Sequence, residues 1–198
     1  MTNKIKSFYS LSSNNCSLVV DCHGDAPAIL YWGSRLANTT SPDILALLAT
    51  SQELQASLPQ EAPIGLSPQS AAGFSGSPGV QLHRDGFQWA VYTRIESVSL
   101  IDNKLTIVSI CQGTQTQLIH CLALDHKTDV LAATTEIVNM GESSLWLDRC
   151  DAPCLPIPKH YSKILSFAGR WGNEFQLQSI DRFMGAYVRE NRSGRTSH

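Results

Sequence analysis

With 198 residues, the chain has room for one large domain or two small ones and for a sizeable core. Fifteen Lys and Arg against seventeen Asp and Glu leave a formal net charge of −2, so no global basic field draws nucleic acid or an anionic membrane surface. The 42% apolar fraction is ordinary for a globular chain, while 16% charged residues is well under the usual quarter; disorder is excluded, and Ser, Thr, Asn and Gln supply much of the wet surface.

The first residues, MTNKIKSFYSLSSNN, carry two lysines but not the apolar region of a secretory signal. The longest apolar run, 26–32, contains Pro27 and is far short of the roughly twenty residues a membrane helix needs. A cytoplasmic protein with no membrane partner is expected. Its cysteines (Cys16, Cys22, Cys111, Cys121, Cys150 and Cys154) are too sparse for a disulfide scaffold and are expected to be mostly reduced and mostly buried.

Strands are predicted first at 17–20 and 28–32. One helix follows at 41–49, where Ile44, Leu45, Leu47 and Leu48 share a face, Ser41 caps, Pro42 suits the first position and Asp43 complements the dipole. The segment 58–79 has four prolines and four glycines in 22 residues and is read as an irregular loop. Loops of that length are functional or disordered, and Ile64, Leu66 and Phe74 within it point to packing. Further strands are predicted at 89–95, 97–101, 104–112, 117–124, 130–139, 144–149, 164–168, 174–179 and 184–190. Asp85-Gly86, Asp102-Asn103, Gly113-Thr114 and Asn139-Met140-Gly141 favour tight reversals between antiparallel neighbours. Many short strands without interleaved helices predict an all-β antiparallel sandwich with one or two short helices.

No motif assembles an active site. Cys150-x3-Cys154 with His160 supplies three ligands where structural zinc needs four, so the cysteines are read as buried residues flanking the Asp151-Ala152-Pro153 bend. Gly73-Phe74-Ser75-Gly76 has neither the spacing of a nucleophile elbow nor the Lys-Ser/Thr ending of a phosphate loop. Asp148 and Asp151, three apart on a strand, point to opposite faces, and Asp21 and Asp25 flank a turn; both pairs are read as solvated carboxylates rather than a glycosidase pair. Trp89 and Trp146 stand in apolar strand contexts and are read as core, Trp171 in a glycine-flanked bend as exposed, and Arg84 and Arg170 as solvated surface.

Several stretches together resemble a known family. Leu30-Tyr31-Trp32-Gly33, Glu61-Ala62-Pro63, His83-Arg84-Asp85-Gly86 and Thr135-Glu136-Ile137-Val138-Asn139-Met140-Gly141 are followed by Gly169-Arg170-Trp171-Gly172-Asn173-Glu174. The end, Glu190-Asn191-Arg192-Ser193-Gly194-Arg195-Thr196-Ser197-His198, looks like a Ser-Arg-Arg-Gly-x-(Ser/Thr)-Ser-His stretch. In this order, over almost the whole chain, they resemble the N-terminal region of family 36 glycoside hydrolases, the microbial α-galactosidases.

The resemblance implies a galactose mutarotase-like β-supersandwich over 1–198, placed ahead of a catalytic (β/α)8 barrel. It implies a retaining hydrolase of terminal α-galactosides such as melibiose and raffinose, with a nucleophile and an acid that are both barrel aspartates and with no metal or cofactor. A barrel takes about 250 residues. None fits here, so the chain is expected to be an inactive part of a longer enzyme, holding no catalytic residue. Similar enzymes are tetramers in which N-terminal loops approach a neighbour's active site; the loop here has 67–79 in place of a Tyr-x-Asp-x-Arg-like pattern. Residues expected to touch substrate in the whole enzyme are Phe74, His83 and Arg84. The competing expectation is a free-standing carbohydrate-binding sandwich that uses exposed tryptophans.

Overall fold

The computed structural model describes residues 8–37, 41, 44, 45, 47, 50, 64–157 and 160–190. Strands make up half of the described residues. In chain order they are β1 (Phe8–Ser12), β2 (Cys16–Asp21), β3 (Ala28–Ser34), β4 (Val80–His83), β5 (Arg94–Ile101), β6 (Lys104–Cys111), β7 (Thr116–Leu124), β8 (Leu131–Asn139), β9 (Trp146–Cys150), β10 (Lys163–Arg170) and β11 (Asn173–Asp181). They pair antiparallel throughout, as sheets β1-β2-β3, β5-β6-β7-β8, β4-β9 and β10-β11. The chain divides into two compact units, one ending at Pro156 and one beginning at Ile157.

In the first unit the four-stranded meander is the floor of the core. β7 alternates strictly between buried and half-buried residues, and β6 between buried and outer ones, as a sheet covered on one face requires. Leu105, Ile107, Leu122 and Leu124 from this floor pack with Leu11, Leu18 and Val20 from β1 and β2, and with Leu66 from the long loop. Farther along, Leu118 packs with Val80, Leu82 and Val91. Each such leucine contributes about 1.5–3 kcal/mol by leaving water. Among these apolar positions the same inner face holds Ser109, His120 and Thr135, whose side-chain polar atoms are buried without a partner; His120 and Thr135 are register neighbours on β7 and β8.

Most expected strands are found with ends shifted by a residue or two. Residues 97–101 join 94–96 in the single strand β5, whereas 89–93 are not strand. The reason is local: Gln88 takes a positive φ of 51°, and the N–H groups of Tyr92 and Thr93 go to Cys111 Sγ and Gln69 Oε1 instead of a ladder. The expected strand at 184–190 is absent too, with Gly185 at φ 149°. β1 and β4 were not expected. Asp102 and Asn103, at φ 48° and 60°, make the predicted two-residue turn from β5 to β6, and Asn103 also bonds Ser12 and Leu124. Asn139–Gly141 is not a reversal between neighbours, because the chain leaves β8 there for β9, which belongs to another sheet.

The expected loop is irregular over its described part, 64–79, apart from one 3-10 turn at Ser70–Ala72. It is firmly held. Leu66 enters the core, its N–H reaches Pro27 O, and its carbonyl accepts from Cys154 N–H. Gln69 makes two buried bonds to Thr93. Residues 58–63 lie outside the described residues, as do Pro42, Asp43, Ala46, Leu48 and Ala49 of the expected helix. Ile44, Leu45 and Leu47 are helical, and Ser41 Oγ accepts from Ile44 N–H at 3.3 Å as the cap. Among the described residues of the apolar face Leu45 is buried, whereas Ile44 and Leu47 are exposed.

The second unit is the β10–β11 hairpin with the segment after it. Gly172, φ 76°, closes its turn. A Cβ on Gly169 would lie 2.7 Å from Asn173 O and Glu174 Cα, so only glycine permits the strands to close there. Leu165, Phe167, Phe175 and Leu177 are exposed on the hairpin, and Ser166 Oγ meets Tyr187 OH at 3.1 Å.

Candidate functional site

The three candidate residues have separate surroundings. Phe74, half-buried in the long loop, lays its ring over Gly76, where a Cβ would come within 2.6 Å of the ring. Arg84 is only 6% exposed, which overturns its reading as a solvated residue. Its guanidinium donates to the carbonyls of Thr114, Ser143 and Ser144, to Ser143 Oγ and to Asn139 Oδ1. These neutral oxygens engage every N–H direction of the fork, so the charge ties the β6–β7 turn and the 139–144 segment to the end of β4.

His83 faces out. Alternation along β4 sends Val80 and Leu82 into the core and therefore Gln81 and His83 to the surface. Arg84 and Phe87 exchange both backbone hydrogen bonds across Asp85 and Gly86, at φ 49° and 80°, a type I′ turn. That turn aims the Gly86 N–H at His83 Nδ1, 3.1 Å away. Nδ1 is thus the acceptor, and the proton of the neutral ring sits on Nε2.

Across the strand pair, Gln81 opposes Arg149 but Leu82 opposes Leu147, so Asp148 is the extra residue of a β-bulge. Bulges re-aim side chains, and here Asp148 Oδ2 comes 3.8 Å from His83 Nε2, with the two side chains 60% and 32% exposed. Trp146 opposes His83 and stacks on it, centroids 6.3 Å apart and planes at 17°. His83 and Asp148 line a groove of about 500 Å³ together with Ser70, Pro78, Gly86 and Trp89. Trp89 follows directly on the left-handed Gln88, a conformation that costs a non-glycine residue about 1–2 kcal/mol and is a pointer to function where it occurs beside a site.

Trp89 and Trp146, read as core, are exposed at 66% and 58%. β9 is exposed along all its residues, so apolar neighbours in sequence did not imply burial. The same exposure overturns the buried reading of Cys150 and Cys154; only Cys22 and Cys111 are buried, and all six thiols are free. Trp171 is exposed as expected, and so is Arg170. The other carboxylates are engaged locally: Asp151 pairs with Arg149 at 2.7 Å, Asp25 accepts from Tyr92 OH and lies 3.5 Å from Arg94, and Asp21 accepts from His23 N–H. Among the described residues no three His, Cys, Asp or Glu side chains converge as a metal site, and no helix is long and apolar enough to cross a membrane. A larger concavity, about 790 Å³, lies at the β5–β6 turn. Its Asp125 already accepts from Thr128 Oγ1 and from the N–H groups of Lys127 and Thr128, which leaves the His83 groove as the better candidate.

Sequence reasoning reached His83 but missed Asp148 as its partner, and missed Trp146 as a surface residue. The alternation Val80-Gln81-Leu82-His83 before Asp85-Gly86 is a legible strand-and-turn signal for β4. No local signal pairs it with β9.

Comparison with known proteins agrees with this architecture. An α-galactosidase of Escherichia coli is 30% identical over 194 residues, 98% of this chain but 27% of that protein. The structure of the α-galactosidase AgaB of Geobacillus stearothermophilus superposes with a TM-score of 0.78 at 16% identity, covering 98% of this chain and 30% of that one. A variant of AgaA from the same organism, solved with raffinose, gives 0.77 at 16% identity over 94% and 30% of the two chains. The chain thus spans about a quarter of the length of the curated relative it matches. The model of the glycosyl hydrolase family 36 N-terminal domain matches residues 25–198, and the chain belongs to that family.

Proposed function

We propose that this chain is the non-catalytic N-terminal β-sandwich of a cytoplasmic α-galactosidase. The whole enzyme removes terminal α-linked galactose with retention, through two aspartates on a barrel outside these residues. The observation that carries the reading is the family match over most of the chain, joined to a relative named as an α-galactosidase of which the chain covers 27%. Relatives of the same architecture have been solved with raffinose and stachyose. Asp21, Asp25 and Asp151 are supportive, since each is bound to its own local partner rather than set facing another carboxylate across a sugar-sized gap.

In this reading the domain supports a homo-oligomer and shapes the pocket, and no cofactor takes part. Of the three residues expected to face substrate, Arg84 acts by holding the end of β4 in place, Phe74 by fixing the loop over Gly76, and His83 by contact. The test is hydrolysis of p-nitrophenyl α-galactoside by the full-length protein and by residues 1–198 alone. Turnover by the former only is the expected result; an inactive full-length protein, or an active 198-residue chain, overturns the reading.

A further inference from the structure

The groove beside β4 and β9 sets a chemical condition that few ligand groups meet. His83 presents Nε2–H as a donor, because Nδ1 is engaged by the Gly86 N–H. Asp148 presents Oδ2 as an acceptor 3.8 Å away. That gap is too long for a direct hydrogen bond, and one ligand atom that accepts from the imidazole while donating to the carboxylate closes it. A hydroxyl does both. An ammonium has no lone pair with which to accept, and a carboxylate or phosphate meets Asp148 as a like charge.

The flanks of this polar pair are aromatic. Trp146, stacked on His83, and Trp89 on the groove wall are both more than half exposed, and exposed indole faces take the C–H side of a saturated ring. The bulge at Asp148 and the left-handed Gln88 are the two backbone irregularities that aim these groups. We infer that this groove is a pyranoside-binding site, in which one ring hydroxyl bridges His83 Nε2 and Asp148 Oδ2 while the ring lies against Trp89 and Trp146 backs the imidazole. The choice of α-galactosides among pyranosides rests on the function proposed above; the site itself rests on the groove.

The test is saturation-transfer NMR and calorimetric titration of the full-length protein with methyl α-galactoside and raffinose, each repeated on Trp89→Ala and Asp148→Ala. Both positions are exposed, and a circular dichroism spectrum checks that the variants fold. The expected result is transfer to ring C–H protons and an affinity lowered about tenfold or more by either substitution, as loss of a charge-assisted hydrogen bond or an aromatic platform implies. In an enzyme that also binds sugar at its barrel, the signal remaining in the variants is removed by a tight active-site inhibitor, and that removed in the variants is not. Undiminished binding in both variants overturns the inference. So does displacement of the sugar by tetramethylammonium, which marks an aromatic cation site instead. Failure of full-length hydrolysis, measured separately, would overturn the proposed function and leave the groove to be decided by these titrations.

Discussion

His120 makes an acid-stability prediction that can be worked through from its surroundings. It lies on the covered face of β7 between Leu118 and Leu122, 2% exposed, with neither ring nitrogen hydrogen-bonded. Burial alone lowers its pKa from 6.5 to about 4. The folded chain therefore holds the neutral ring, while the unfolded chain takes up a proton below about pH 6.5. Since the unfolded state binds more protons in this window, stability falls as pH falls. The contribution is fully present above 6.5, is lost progressively between 6.5 and 4, and amounts to about 3 kcal/mol at 1.36 kcal/mol per pH unit. His120→Leu keeps an apolar side chain among leucines and removes two buried nitrogens without partners. It should be at least as stable as the parent at pH 7 and should lose much less between pH 6.5 and 4. Asp125, whose carboxyl is held low first by the Thr128 hydroxyl, and Asp129, held low first by the Asn15 side chain and then by Ser13, lose their stabilising bonds only below the usual carboxylate range. They are common to both proteins and cancel in the difference. Urea midpoints at half-unit pH intervals give the two curves; curves that run parallel through this window would refute the reasoning.

Arg84→Ala should cost about 1–3 kcal/mol in urea unfolding, because it strands the buried carbonyl of Thr114 and removes the bonds that hold Asn139 and Ser143. Arg84→Lys should recover only part of that, since one ammonium cannot reach the whole fork. Gln69→Ala, which removes both bonds to Thr93, should free the 70–78 stretch, read as faster limited proteolysis there without loss of the circular dichroism spectrum. In native buffer Ellman's reagent should titrate Cys150 and Cys154 first. It should leave Cys22, pushed up to about 12 by burial and then by Asp21, unreacted until the chain unfolds.

How far these features were legible depends on the range over which they are encoded. The meander was readable because Leu105, Ile107, Leu118 and Leu122 alternate with outer residues and Asp102-Asn103 supplies the left-handed turn between β5 and β6. The register of a short edge strand carries no such redundancy. β4 has four residues, two of them Gln and His, and its partner β9 is remote in sequence, so the meeting of His83 with Asp148 followed from no local pattern. Arg84 was misread for a related reason. An arginine beside Asp-Gly looks solvated until the Thr114 and Ser143 carbonyls, contributed by other segments, are known to converge on it. Trp146 and Trp89 show the converse, since apolar neighbours raise the expectation of burial, yet only packing of the whole sheet decides which strand is covered.

The extra residue at Asp148 bears on how this family can be compared position by position. Because two residues of β9 stand opposite one step of β4, deleting a single residue between Leu147 and Arg149 would restore a regular ladder. The strand and its core contacts would persist while the carboxylate vanished from the groove. Relatives at 16% identity can therefore share the whole sandwich and differ at this spot by one insertion. A gap moved by one column would then assign an aspartate to the wrong homologue, and superposed backbones rather than aligned letters are the way to trace who carries it.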